Sequence, residues 1–590
     1  MTSFIHRALS RWLLLTACLF TSGTAWSQVT FLEESTITTE GLYFWYADGS
    51  KAYHYAASIS PRGDCMTVVN GYIFFGWYKG GMTNRSLMIS RKKIGSGGWV
   101  TVQLPHKNTL IQPGNRWGDS HNTISVGVSK IDGTIHIFYD HHNTPLQYIV
   151  SKKNKAFAPD SEFTLAAFET TRDYLVPGEP IRITYPKVTT NAAGELILNY
   201  RKGSAVGGNE MVHVYNGTAW TSNKQVTRGG GLPYVAEADK NYAYGNPYFN
   251  NGNVYYAWSV RWAAKKDLGV LNEGVYLAKC GPTMTSQWED PKGVKHALPI
   301  QDYSPFLVDL PASNAGKRSS GGPRLVVSED GAVHLTYNGR GSGNTYQYTY
   351  TRKAGETAFT KHTGTMKTGL SWNNRFYTIS AGGSSIRITS GAPGSTNYVT
   401  ELVHNTTRSF DASASYIDDG KIVIITAENR QTDKRTIWCY VFQLPTENLG
   451  PSSGLVAHWP LDEGTGTTTA NAAGTPFTAA LQNGAAWGSD ATRASYVSFD
   501  GNDDRIATTF KYALKSTDDF TWAWWANKQT PAGTDDTAIM VGNRYGNTGA
   551  EAFEYIKFTP TVAQLANTNS SASISTIDYP DVPQGGWNHY

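Results

Sequence analysis

The sequence predicts an all-β chain: a seven-bladed β-propeller followed by a separate β-rich unit. Three observations carry this. Aromatic residues make up 13% of the 590 residues and glycine contributes 59, while only 17% are charged, a composition of short strands and tight turns rather than of helices or disorder. A hairpin signature, a glycine turn leading into alternating apolar residues, recurs seven times between residues 70 and 443. A Pro/Gly/Ser-rich segment then interrupts the pattern before strand-like sequence resumes.

The turns fall at Asn70-Gly71 (YIFFGWY), Asp132-Gly133 (TIHIFYDHH), Ala193-Gly194 (ELILNYR), Asn251-Gly252 (NVYYAWS), Asp330-Gly331 (AVHLTYN), Gly382-Gly383 (SSIRITS) and Asp419-Gly420 (KIVIITA). Their glycines are 62, 61, 58, 79, 52 and 37 residues apart. Repeats near the length of a four-stranded sheet are what propeller blades give, with insertions filling the longer gaps. Two β-sandwiches would match the strand density but would not repeat one hairpin seven times. The propeller is therefore expected over residues 28–443.

Ahead of it, Arg7 and Arg11 precede the apolar run Trp12 to Phe20, and small residues follow around Ala25-Trp26-Ser27. This is the layout of a secretory signal peptide over residues 1–27, too short in its apolar part to span a bilayer. The mature chain is expected to be exported, soluble, monomeric and without membrane insertion. The formal charge of +4 reduces to 49 basic against 47 acidic residues once that segment is removed. With no basic stripe, nucleic-acid binding is excluded as a general function, though a local cationic cleft is not. Cys65, Cys280 and Cys439 remain, either one pair plus a spare thiol or none paired. Cys65 and Cys439 lie in the first and last blades, where a bridge would staple the ring closed.

The chemistry concentrates in GDSHNTISVGVSKIDGTIHIFYDHHNTPLQY, residues 118–148. Ile124, Val126 and Val128 alternate with polar neighbours, Asp132-Gly133 turns, and Ile135, Ile137 and Tyr139 alternate on the return. His121 before the first strand and His141 after the second thus reach the same end of the hairpin. The next hairpin repeats the arrangement, with Tyr185 ahead of it and Arg201 at its end. Trp77 and Trp258 also lie near strand ends, placing them at blade rims.

An imidazole, a phenol and a guanidinium at one rim suit β-elimination from a uronic-acid polysaccharide. A base must take the proton at C5, a cation must hold the carboxylate while the enolate develops, and an acid must protonate the departing O4. Imidazole titrates near neutrality, and the arginine fork matches a carboxylate with two parallel hydrogen bonds.

The run SHNTISVGVSKIDGTIHIFYDHH, with TYPK and NYRKG downstream, resembles the seven-bladed propeller ulvan lyases of polysaccharide lyase family 25, related to family 24. The resemblance covers most of residues 30–443 and implies endolytic cleavage of ulvan, a sulfated rhamnose–uronic acid polymer, leaving 4,5-unsaturated uronyl ends. It implies His121 as base, Tyr185 as acid, Arg201 as carboxylate neutraliser and His141 as their partner in binding or proton handling. The base and acid roles exchange if the uronate is the C5 epimer. It also implies a structural zinc site, for which Cys280 and His296 lie in one insertion and His213 joins from the preceding blade. Asn122, Tyr244 and Arg261 near strand ends are expected to contact substrate.

After Phe442-Gln443 the linker spans residues 444–452, and residues 453–590 open with WPLDEG, continue through Tyr496-Val497-Ser498-Phe499-Asp500-Gly501 and close on Gly586-Trp587-Asn588-His589-Tyr590. This segment resembles a laminin-G/concanavalin-like β-sandwich, a carbohydrate-binding or spacer module, and is expected to be incomplete because the family's strand continues past Trp-x-His. Two competing functions remain, a sialidase-like glycoside hydrolase and a non-catalytic glycan-binding protein. Hydrolysis needs two opposed carboxylates, or a tyrosine nucleophile backed by an acid and an arginine triad. The rim offers Asp119 and Asp140 but no repeated S-x-D-x-G-x-T-W turns.

Overall fold

The computed structural model describes residues 29–43, 59–60, 64–81, 83–109, 118–203, 208–229, 241–250, 252–262, 272–310, 318–319, 322–341, 344–364, 369–395, 398–429 and 433–445 of the first part of the chain. In the second part it describes 457–471, 478–490, 495–500, 503–508, 524–527, 539–542, 553–558, 562–568, 575–580 and 587–589. The expected signal peptide and most of the expected linker lie outside these residues. The chain divides into two compact units, Met1–Ser453 and Gly454–Tyr590.

The first unit is a ring of antiparallel sheets whose strands mostly follow one another in sequence. Met66–Val69, Tyr72–Tyr78, Ser86–Lys93 and Val100–Lys107 form the first blade. Ile124–Val128, Ile135–Tyr139 and Tyr148–Val150 form a short second one. The third contains Arg182–Thr190, Leu196–Lys202, Asn209–Tyr215 and Lys224–Thr227, and the fourth is built on Asn241–Asn250, Asn253–Trp262 and Asn272–Cys280. Arg324–Val327, Val333–Gly341, Asn344–Arg352 and Thr360–Thr363 form the fifth.

The sixth and seventh blades share one continuous sheet. Arg375–Gly391 folds back on itself about Gly383, which brings the Thr378 and Thr389 hydroxyls within 2.7 Å. Val399–Asp418 then runs from one blade to the next, pairing first with residues 385–390 and later with Lys421–Glu428. The seven turn glycines predicted from sequence all adopt positive φ, between 55° and 92°. That region is nearly closed to side chains with a Cβ, which is why the turns are legible as glycines.

Ring closure is made by backbone. Thr30–Leu42 pairs antiparallel with Lys434–Gln443, from Thr30 opposite Gln443 to Leu42 opposite Lys434. The expected Cys65–Cys439 staple is not formed: both are free thiols in one hydrophobic core cluster, and Cys280 is also free and buried. Successive blades interlock through glycine. A Cβ on Gly76 of the first blade would lie 2.6 Å from Ile124 of the second, and one on Gly127 would lie 2.6 Å from Val188 of the third. The absent side chains let neighbouring sheets approach closely enough to bury Ile124, Val126, Val188 and Leu196.

The second unit is also built from antiparallel sheets among its described residues. Thr468–Ala470, Thr478–Gln482 and Arg505–Thr508 form one, and Ile539–Gly542, Phe553–Phe558, Val562–Thr568 and Ser575–Pro580 another. Two-stranded pairs join Ala486–Gly488 to Tyr496–Ser498 and Trp525–Ala526 to Asn588–His589. Among the described residues of the whole chain, no helix is long and apolar enough to cross a membrane.

Candidate active site

The site forms where the second blade hands the chain to the third. At the end of Ile135–Tyr139, Asp140 takes a left-handed φ of 65° and breaks the strand's alternation. Asp140 is held there by its own carboxylate, which accepts from His106 Nε2 at 2.9 Å and from the Thr109 amide at 2.8 Å and hydroxyl at 2.5 Å. His141 is thereby turned inward and fully buried, and its Nε2 accepts the backbone N–H of Gln147 at 2.8 Å. Burial, with a smaller contribution from His106, pushes its imidazole down to about 3. His142 instead opens the strand His142–Pro145, which leaves the second blade and pairs with the first strand of the third.

The register of that sheet assembles the remaining groups. His142 lies opposite Thr184, and Thr184 lies opposite Arg201 on the next strand. The pairing slips between Thr184 and Lys187, so Tyr185 is extruded as a bulge. Tyr185 adopts a φ of 56° immediately before Pro186. A left-handed aromatic residue is strained by about 1–2 kcal/mol, a conformation that persists only where surrounding structure enforces it. The bulge points the phenol out of the ladder and toward His121.

The result is a column of rings. The His142 and His121 imidazoles stack at 3.7 Å between centroids and 9° between planes. Tyr185 follows at 5.2 Å and 24° from His121, and the Arg201 guanidinium caps the Tyr185 ring at 4.7 Å. Asp119 holds the far end. Its Oδ1 accepts from the His121 backbone N–H at 2.9 Å and from the same residue's Nδ1 at 2.5 Å, and its Oδ2 binds His142 Nδ1. Burial alone would raise the Asp119 carboxyl, but the hydrogen bonds from His121 and His142 outweigh it and hold the group well below the usual carboxylate range.

Of the four expected catalytic residues, the structure brings together His121, Tyr185 and Arg201. The fourth place in the column belongs to His142 rather than His141, because the left-handed Asp140 shifts the alternation by one residue. The doublet His141-His142 carries that ambiguity in the sequence, and Gly118-Asp119-Ser120-His121 carries the carboxylate. Asn122 is buried and its amide donates to the Thr109 carbonyl at 3.0 Å, which makes it an anchor for that loop. Arg261 is half-buried in the fourth blade opposite Tyr242 and Asn272. Tyr244 lies opposite Ser259 on the same sheet, and its side chain falls outside the described residues. Trp77 and Trp258, expected at the rim, are core residues.

The expected zinc ligands are not brought together. Both ring nitrogens of His213 are engaged within its own blade, Nδ1 with the Thr221 carbonyl at 2.8 Å and Nε2 with the Tyr200 hydroxyl at 3.3 Å. His296 Nε2 pairs with Asp290 at 3.1 Å. Burial raises the Cys280 thiol well above its ordinary value. Asp119, His121 and His142 do place three donor atoms within 4.8 Å of one another. The 2.5 Å separation between Asp119 Oδ1 and His121 Nδ1 is that of a hydrogen bond.

Known proteins resemble this chain over much of its length. A long-isoform ulvan lyase of Pseudoalteromonas sp. (strain PLSV) is 26% identical over 521 residues, 76% of this chain and 50% of the relative. A short-isoform ulvan lyase of Alteromonas sp. (strain LOR) is 27% identical over 327 residues, covering 48% of this chain and 61% of that one. The chain spans about half the length of the curated long-isoform relatives it matches. Among solved structures, the polysaccharide lyase Uly1 superposes with a TM-score of 0.63 at 23% identity, over 70% of this chain and all of that one, and so shares the fold. The model of the BNR repeat-containing family matches residues 72–366, the blades from the first to the fifth. With half its length matched in this way, the chain belongs to the BNR repeat-containing family.

Proposed function

We propose that the first unit is an ulvan-type polysaccharide lyase that cleaves beside a uronic acid by β-elimination. The observation that carries this reading is the column itself: base, phenol and guanidinium in sequence within one wall. Arg201 binds the uronate carboxylate and draws charge into it as the C5 proton leaves. His121 Nε2 takes that proton. The electron pair of the C5–H bond becomes the C4–C5 double bond as the C4–O4 bond breaks, and Tyr185 gives its phenolic proton to O4. The proton gained by His121 equals the one lost by Tyr185, so a single transfer between adjacent rings resets the site. With the C5 epimer the two roles exchange. The imidazolium formed when His121 is the base is balanced by Asp119.

Two further observations favour elimination over hydrolysis. Asp119 accepts from two imidazoles and Asp140 from His106 and Thr109, so neither carboxylate is available as a proton donor to a glycosidic oxygen. The curated relatives are called ulvan lyases. Export through residues 1–27 would place the enzyme with a polymer too large to enter a cell, and the second unit would act as a glycan-binding or spacer module.

The test is digestion of ulvan by the purified chain. Ultraviolet absorbance from the conjugated unsaturated uronate should rise with turnover. New reducing ends without that absorbance would mean a hydrolase, and retention on ulvan with neither signal would mean a binding protein. Either of those results overturns the reading.

A further inference from the structure

We propose that Asp119 is the positioning residue of this site: one carboxylate takes the Nδ1–H of both His121 and His142, and so presents the Nε2 lone pair of each imidazole as a base. The inference rests on the elimination chemistry above but concerns a residue that the repeat pattern and the catalytic trio leave unassigned.

The geometry dictates the tautomers. An ionised carboxylate accepts and cannot donate, so each ring nitrogen in contact with it must carry the proton. Asp119 is 8% exposed and its two oxygens divide the work, Oδ1 to His121 and Oδ2 to His142. The two imidazoles that share this carboxylate also stack, with 9° between their planes. Both Nε2 atoms are directed away from the carboxylate, as general-base catalysis requires. The backbone amide of His121, donating to Oδ1 at 2.9 Å, closes the short loop Asp119–His121 and fixes the carboxylate in turn.

The two imidazoles are not equivalent. His121 is buried between His142 and Tyr185, beside the phenol. The His142 side chain is 40% exposed and forms the solvent-facing end of the column. A single acid thus orients both the base next to the phenol and a second imidazole in contact with water.

Asp119→Asn isolates this function. An amide of the same shape can accept from one imidazole, but its NH₂ must donate to the other, which forces that ring into the opposite tautomer and removes its Nε2 lone pair. Loss of the correct tautomer in a carboxylate–imidazole pair costs kcat about 10²–10⁴-fold, and that is the fall expected here, with KM within about threefold because substrate contacts are untouched. Selective ¹⁵N labelling of histidine supplies a readout independent of turnover. Wild-type His121 and His142 should both show protonated Nδ1, and one of them should invert in the Asp119→Asn variant. Protonated Nε2 on either ring in the wild type would overturn the proposal, as would an asparagine variant with kcat within about threefold of wild type. Wild-type protein inert toward ulvan would instead sink the lyase reading, leaving the ring-nitrogen spectrum to judge the clamp by itself.

Discussion

Tyr185→Phe separates the chemistry of the column from its architecture. Phenylalanine keeps the ring, so the stack on His121 at 5.2 Å and the cation–π contact with Arg201 at 4.7 Å both survive. It also keeps a Cβ at a φ of 56°, so the strain of the bulge is the same in both proteins. Folding stability should therefore change by less than about 0.5–1 kcal/mol. What disappears is one proton donor. General acid–base contributions of 10²–10⁴-fold correspond to about 3–5 kcal/mol of transition-state stabilisation, and kcat on ulvan should fall by that factor. Initial rates followed by absorbance of the unsaturated product give the kinetic arm, and urea unfolding gives the stability arm. A phenylalanine variant that retains more than about a third of wild-type kcat would show that the phenol carries no proton. A variant that loses both activity and several kcal/mol would show that its role is structural.

Where the histidines lie sets two more expectations. His141→Ala removes a buried ring and leaves the Gln147 amide without its acceptor, and should cost about 2–4 kcal/mol in denaturant unfolding. His142→Ala, at the exposed end of the column, should leave stability within about 1 kcal/mol but reduce kcat roughly tenfold or more; the reverse pattern would restore His141 to the site. Stability should also depend on pH. Burial holds His136 and His141 down to about 3 and His334 down to about 4, so these rings stay neutral in the folded protein while unfolded chains take up protons below about 6.5. The unfolded state then binds more protons, and stability is full above that pH and declines as pH falls toward 4, by up to about 1.4 kcal/mol per pH unit for each ring. Urea midpoints flat between pH 6.5 and 5 would contradict this.

Much of the fold was legible because it is governed by local rules. Each hairpin needs a left-handed residue at its turn, and Gly71, Gly133, Gly194, Gly252, Gly331, Gly383 and Gly420 supply it at positive φ. Alternation in segments such as Ile135–Tyr139 follows from strand geometry alone. Ring closure was not legible as it occurs: Thr30 meets Gln443 by hydrogen bonds that any sequence can make, whereas Cys65 and Cys439 advertised a bridge that the core does not form. The zinc ligands failed similarly, since nothing in the sequence reveals that the His213 ring nitrogens are occupied by Thr221 and Tyr200.

By itself the sequence determined the repeat and the rim that gathers three of the column's side chains, His121, Tyr185 and Arg201, because strand periodicity and turn positions are short-range properties. Tertiary structure alone decided which member of His141-His142 joins them. That choice depends on the φ of Asp140, which is held by His106 and Thr109 from another blade. It also decided that Tyr185 leaves its ladder to face His121, and that one buried carboxylate orients two imidazoles. These outcomes are settled by partners distant along the chain, and a one-residue change of alternation reverses which side chain a strand end presents.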